Sequence, residues 1–569
     1  MNNTTGRRVL YLVIIVFIAC QLINTVDCCA ASKLLIGAER IFINAEIITM
    51  NEQNPQAEAI AVRNGRIVAI GKVKEVKKWF VQGTEIVDLK GKVVTPGFIE
   101  THNHLLLYGS TKTMVDVTPD TTPDIAILKK KIAKEAKKIK KGDWIVAFGF
   151  DQTRYSDGRH ITWRDLDEAA PDNPVFVMHL SFHLGYANSM ALKIAGITKD
   201  SKNPPGGRIV RDSNGEPTGQ LDEMAAMLLV MSKTPQADFA ITQKNLWLAA
   251  KDYAANGITT SFDMLGMNPV DFKVYQAVST NEEFPLRIVG APLYFLCDTM
   301  PLTSGFGNGR FIIGPAKLIS DGSIQGFTAQ LKQPYLTNSD LVAPIVMSPD
   351  ELKEKVLACY KKGFDVCIHA NGDKGLDWTL DAIEYAKTKL NLQDVRPMII
   401  HCQINSEEQL KRIKDLGATI TFMTVHVNLW GDIHRKITLG GERAARIDPM
   451  ASAFRLGIRT SMHTDAPVTK PVPLFSMWVA VNRTTKSGYI LGPEQRITPK
   501  QALAAFTTEG AYLFRLEKDL GSLEVGKLAD MTVMDGNPLT VKPDKIKDIK
   551  VLCTVVGGKI IDKSILGKY

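Results

Sequence analysis

Apolar positions along this chain change period twice. Residues 40–49, 59–63, 66–70 and 85–88 form short runs of β-branched and apolar residues, and Asn64-Gly65 stands as a hairpin dipeptide between two of them. The far end, 528–534 and 549–561, has the same texture, with Gly557-Gly558 as a turn. Between these ends the pattern is helix, glycine, strand. Ser348-Pro349-Asp350-Glu351 opens a helix with a capping box, Gly363 ends it, and the apolar run 364–368 follows. Ser406-Glu407-Glu408-Gln409 opens another, closed by Gly417 before 419–423, and a third ends near Gly457 before 458–462. That rhythm predicts βα units around a parallel sheet.

Eight runs fit parallel strands: 92–99, 258–263, 287–295, 314–319, 364–368, 397–400, 419–423 and 458–462. Eight such strands predict an α/β (β/α)8 TIM barrel, with an insertion at about 106–235 after the first strand. The β-rich ends predict one small β-sandwich built from both termini. The expected division is a signal peptide at 1–31, the sandwich at 32–95 and 515–569, and the barrel with its insertion at 96–514.

Arg7-Arg8 precede the apolar stretch 9–23, and the small residues Cys28-Cys29-Ala30-Ala31-Ser32 follow it. This is the layout of a secretory signal peptide, and it is shorter than the roughly 20 residues of a membrane span. The expected location is periplasmic or secreted, with an uncleaved N-terminal anchor as the rival and no stable span after cleavage. The other five cysteines, Cys297, Cys359, Cys367, Cys402 and Cys553, are scattered, odd in number and without a CxxC pair. They indicate neither a disulfide framework nor a Cys-type zinc site.

The 569 residues have ordinary globular composition and a net charge of +9. Residues 129–141 hold eight Lys and one Glu, which leaves only +2 for the rest of the chain. These lysines surround the apolar stripe Ile125, Leu128, Ile132 and Ile139, with Thr122-Pro123-Asp124 as cap and first-turn proline. A basic face without interleaved aromatics reads as a solvated helix face, so no nucleic-acid partner is expected.

The histidines carry the chemistry. His102-Asn103-His104 follows the first parallel strand, and period 2 puts both imidazoles on one side. His369 and His401 end the fifth and sixth strands, and Asp465 lies just past the eighth. In a barrel these strand ends converge on one face, and four imidazoles with a carboxylate suit a divalent metal such as zinc.

Thr95-Pro96-Gly97-Phe98-Ile99-Glu100-Thr101-His102-Asn103-His104 resembles the first-strand signature of the amidohydrolase superfamily, in the family of metal-dependent hydrolases that includes N-substituted formamide deformylase. Gly521-Ser522-Leu523-Glu524-Val525-Gly526-Lys527-Leu528-Ala529-Asp530 resembles its return into the β-domain. The resemblance implies that His102 and His104 bind one metal and His369 and His401 a second. Lys317 matches a lysine that bridges two metals after carbamylation. It implies that Asp465 binds and orients a metal-bound water, takes its proton, and so prepares hydroxide for attack on a non-peptide, amide-type C–N bond. One or two ions per chain, zinc first, are implied. His183, after Ser181-Phe182, would contact the substrate or its carbonyl oxygen and share in catalysis. His426 matches another substrate-side histidine. Gln325 and Phe327 lie in the loop 323–328, and Phe327, Phe182 and Trp430 would line an apolar pocket. His160, His179 and His434 match nothing in the family and read as structural.

Several positions depart from the family pattern. Glu100 replaces Asp, Met423-Thr424 replaces Gln-Pro, Ile400 replaces Glu, and His463 replaces Gly. The loop 323–328 lacks its usual Arg. The metal set is kept and the lining is altered, so a small-molecule substrate is expected and formamide itself is not implied. A lactone or ester hydrolase at the same centre is the alternative. A non-catalytic exported binding protein is the other, and it predicts a missing ligand where all six positions are filled. A homodimer is compatible with the sequence.

Overall fold

The structure, a computed structural model, describes residues 37–266 and 269–561. The segment 9–23, with the export expected from it, lies outside the described residues. Among those described, no helix is long and apolar enough to cross a membrane.

The run 40–49 does not stay one strand. Asn44 takes a left-handed φ of 55° and separates Arg40–Ile43 from Glu46–Ile48, which join different sheets. The first pairs antiparallel with Ala59–Arg63 and parallel with Glu85–Asp88. Asn64-Gly65, with φ of 51° and 71°, turns the hairpin as expected. The second sheet interleaves the chain ends: Val93–Pro96 lies between Glu46–Ile48 and Met531–Met534, and Val551–Val556 and Lys559–Ile560 extend it. Phe42, Ile60 and Val87 of one sheet share an apolar cluster with Ile47, Val533 and Val555 of the other.

The run 92–99 is corrected likewise. Val93–Pro96 enters the terminal sheet, whereas Phe98–Asn103 runs parallel to Ile258–Gly266. Gly97 makes the switch where a Cβ would come within 2.3 Å of Thr259. His102 and Asn103 therefore lie inside the strand rather than after it.

Arg287–Pro292 and Phe311–Ile313 complete this four-stranded parallel sheet. Ala316–Ile319, Val366–Ala370, Met398–His401, Thr419–Phe422 and Thr460–Met462 form a five-stranded one, also parallel. The fourth predicted strand, 314–319, thus begins only at Ala316, after Pro315, which has no N–H to continue a ladder. A parallel bridge between Leu293 and Lys317 joins the sheets on one side. On the other, Thr101 Oγ1 meets Thr421 Oγ1 at 2.7 Å and Ser461 Oγ at 3.0 Å. The arrangement is α/β and TIM-barrel-like.

Local signals in the connecting helices behave as read. Ser406 and Gln409 form a full capping box; of the one expected at Ser348, the half in which Glu351 N donates to Ser348 Oγ is present. Gly363, Gly417 and Gly457 end their helices at φ of 80°, 68° and 68°.

The insertion builds its own six-stranded sheet between residues 115 and 222. Its basic helix, Ile125–Ala136, buries Ile125, Leu128 and Ile132. Asp124 caps it by accepting from Ile127 N, so Pro123 precedes the cap instead of sitting in the first turn. Lys129 pairs with Glu168, and Lys131 donates to Thr121 and Thr122.

One buried ion pair locks the parallel sheet to the terminal sheet. Arg287 Nε and Nη2 donate to the two Asp530 oxygens at 2.7 and 2.9 Å, and Gly557 N donates to Oδ1 at 2.7 Å. Arg287→Leu would strand the Asp530 carboxylate in the interior and should cost about 3–5 kcal/mol. The urea midpoint checks this, and adding Asp530→Leu should recover most of the loss.

Candidate metal centre

Main-chain bonds lace the two ends of the site together. Asp465 N donates to His102 O at 3.2 Å, and His104 N donates to Ala466 O at 2.9 Å. Glu100 accepts from Thr464 N at 3.0 Å and from Thr464 Oγ1 at 2.7 Å. Burial pushes the Glu100 carboxyl up to about 8, against the pull of those Thr464 bonds. The longer Glu at this position thus ties the first parallel strand to the segment carrying Asp465.

His102 Nε2 and His104 Nε2 lie 3.1 and 3.2 Å from Asp465 Oδ1, and His401 Nε2 lies 4.0 Å from Oδ2. The His102 ring centre is 5.1 Å from those of His104 and His401 and 4.9 Å from that of His463. His102, His401, His463 and Asp465 each offer a ligand atom within 4.8 Å of the others. Asp465 Oδ1, His102 Nδ1 and His104 Nδ1 are buried and make no hydrogen bond. Burial drives the imidazoles of His102, His369 and His401 well below their ordinary pKa. Burial works the other way on Asp465, but the His102 and His104 rings hold it well below the usual carboxylate range. Buried imidazoles that resist protonation, gathered around one carboxylate, are a donor set that fits a divalent cation.

His369 sits beside this group, its ring 4.6 Å from that of His401. Its Nε2 is 3.1 Å from Gly322 O and 3.0 Å from Asn371 Nδ2. Lys317 is buried on the neighbouring strand, and burial brings its ammonium down to about 8. Asp321 accepts from Gln330, Asn371 and Gly372 N at 2.8–3.0 Å and so holds the two adjoining loops. Burial raises it to about 7.

His463, read from sequence only as a departure, belongs to the cluster. Its Nδ1 meets Thr421 Oγ1 at 2.9 Å and its Nε2 meets His401 Nδ1 at 3.1 Å. Burial pushes it down to about 3. With both nitrogens engaged, it orients the His401 ring. The His-x-Asp spacing with Asp465 was the available signal.

The substrate-side candidates divide. His183 lies over the centre, 5.3 Å from the His369 ring, with Nδ1 2.8 Å from Glu223 Oε2. Burial disfavours a charged His183, but Glu223 outweighs it and raises the pKa. His426 is buried, 6.2 Å from the His401 ring and 3.8 Å from Asp448 Oδ2. Phe182, stacked on Phe148 at 4.9 Å, comes within 6.4 Å of the His104 ring. Phe327 packs on Tyr335 at 5.0 Å. Gln325 is buried in the same loop, with its Oε1 unbonded. Trp430 does not line an open pocket. It is 0% exposed, and its Nε1 donates to Asp151 of the insertion at 2.8 Å. His160, His179 and His434 are each tied to hydroxyl groups, of Tyr186, Ser181 and Thr438.

Glu223 was not singled out from sequence. His401, Asp465, Phe182 and Glu223 all take left-handed φ, at 67°, 54°, 59° and 66°. Strain in non-glycine residues concentrates where function over-determines the backbone.

Known proteins resemble this chain over most of its length. N-substituted formamide deformylase from Arthrobacter pascens is 28% identical over 533 residues, covering 91% of this chain and 97% of that protein. The protein LONG AFTER FAR-RED 3 of Arabidopsis thaliana is 31% identical over 546 residues, covering 92% and 91%. Among solved structures, an uncharacterized metal-dependent hydrolase from Pyrococcus horikoshii superposes with a TM-score of 0.72 at 26% identity, covering 89% of this chain and 99% of that one. The amidohydrolase family model Amidohydro_3 matches residues 85–562, and the chain is therefore an enzyme of the amidohydrolase family.

Proposed function

We propose that this protein hydrolyses a non-peptide, amide-type C–N bond in a small molecule. The observation that carries the reading is the convergence of the His102, His104 and His401 imidazoles on the Asp465 carboxylate, with Nε2 atoms 3.1, 3.2 and 4.0 Å from its oxygens. His102, His104, His369, His401 and Asp465 would hold one or two divalent ions, zinc first, with Lys317 joining them once carbamylated. A bound ion supplies Lewis-acid activation of water and of the scissile carbonyl.

The chain supplies the rest. Asp465 takes the proton released as water attacks the carbonyl and returns it to the leaving nitrogen. His183, beside His369, meets the carbonyl oxygen, and His426, beside His401, contacts the substrate. Gln325, Phe327 and Phe182 line the approach. His463 holds His401 in register and is not itself a ligand. Around the site, the two parallel sheets close into one (β/α)8 barrel and the terminal sheets stack as a β-sandwich, with the domain division given above. The segment 1–31 directs export.

Lys317→Ala should reduce bound metal from about two ions per chain to about one, with partial rescue by short carboxylic acids. Unchanged stoichiometry by elemental analysis would exclude Lys317 from the ligand set. The reading as a whole is tested by metal analysis of the purified protein alongside turnover of N-acyl and N-formyl amines. Bound metal with turnover supports it. No metal and no turnover after supply of zinc or manganese overturns it.

A further inference from the structure

We infer that Glu223 is a positioning residue for His183, fixing which imidazole nitrogen faces the substrate. The inference rests on the proposed reading, in which His183 meets the substrate. Its support is the backbone. In the insertion, Leu184–Ala187 pairs antiparallel with Pro217–Asp222, and the register sets Leu184 opposite Asp222. The next residues outward are His183 and Glu223. Glu223 N donates to His183 O at 2.6 Å, which carries the pairing one residue past the strands. The side chains then close the second contact, His183 Nδ1 to Glu223 Oε2 at 2.8 Å.

A carboxylate oxygen accepts, so Nδ1 carries the proton and Nε2 is the nitrogen left to meet a substrate. The Glu223 side chain is 4% exposed, while the His183 side chain keeps 15%. The carboxylate is thus the buried brace and the imidazole the working face.

Two features show that this clasp is built. Glu223 opens the helix Glu223–Met231 at a φ of 66°, a conformation that non-glycine residues adopt at a cost. Across from it stands Gly322, in the loop after the strand that bears Lys317. A Cβ there would lie 2.3 Å from Glu223 Oε1 and 2.1 Å from Thr328 Oγ1. Gly322 leaves the space that the carboxylate occupies, and Gly322 O faces His369. Glu223 therefore seats the insertion's histidine against the loop that borders the imidazole cluster.

The test uses the full-length enzyme with Glu223→Ala and the near-isosteric Glu223→Gln. Glu223→Ala should lower kcat about 100-fold with KM within about threefold. Glu223→Gln keeps an acceptor for Nδ1–H and should lose only about 10-fold. Bound metal should not change in either. The independent readout is 15N NMR of selectively labelled histidine in metal-free protein. His183 should show the Nδ1-protonated form in wild type and in Glu223→Gln, and a tautomer mixture in Glu223→Ala. An unchanged His183 signal in Glu223→Ala, or kcat within threefold of wild type, overturns the inference. Should wild type hydrolyse no amide, the amidase reading falls, and the NMR arm alone decides whether Glu223 sets the tautomer.

Discussion

Asp465→Asn should lower kcat by about three orders of magnitude while leaving fold and bound metal in place. The size follows from the role. A positioned acid–base group contributes about 10²–10⁴-fold, and three decades correspond to about 4 kcal/mol of transition-state stabilisation. The substitution is clean for three local reasons. Asn matches Asp in size and tolerates the left-handed φ of 54° at this position. The main-chain bonds Asp465 N to His102 O and Val468 N to Asp465 O do not involve the side chain. One side-chain oxygen remains to face the imidazoles. The negative charge and the capacity to take a proton are lost, while the four imidazoles remain to hold the ion. Steady-state kinetics with elemental analysis of the same sample checks this. Turnover within tenfold of wild type would remove Asp465 from proton transfer.

His102→Ala should strip the centre. The residue is 1% exposed and its ring packs edge-on against those of His104, His401 and His463, so its loss takes a donor from the middle of the cluster. Bound metal should fall to about a tenth of the wild-type value, and turnover by about 10³-fold or more. A thermal signature should accompany the loss. A ligand at 1,000 times its Kd stabilises the folded chain by about 4 kcal/mol. Chelation should therefore lower the Tm of wild type, and added zinc should restore it. His102→Ala should start near the chelated value and respond to neither treatment. A variant that kept its metal would place the ion elsewhere.

The legibility of this protein from its sequence varied with distance along the chain. Turns and helix ends were readable where one or two residues set the geometry, as at Asn64-Gly65, Ser406 and Gly417. Strand limits were less so. The runs 40–49 and 92–99 are continuous in hydrophobicity, yet each divides between two sheets. The breaks lie at Asn44, whose φ reverses the backbone, and at Gly97, where Thr259 leaves no room for a side chain. A periodic pattern reports that residues are buried, not which neighbour buries them.

The site shows the same division. His102, His104, His369, His401 and Asp465 were each legible because they end or follow an apolar run, and parallel strands deliver such ends to one face. The function of His463 was not legible, because it depends on Thr421 and His401, 42 and 62 residues away in sequence. Trp430 looked like lining and is a buried tie to Asp151, 279 residues distant.

By itself, the sequence determined the alternation of elements, the basic helix with its apolar stripe, and the residue types able to hold a metal. These depend on local spacing, and spacing is visible in one dimension. Tertiary structure alone decided that Glu100 clamps Thr464, that His463 braces His401, and that Glu223 meets His183 across a strand pair. Hydrogen-bond partners are selected by sheet register and by the last few ångströms of packing, where a single side-chain length or a missing Cβ settles which atoms meet.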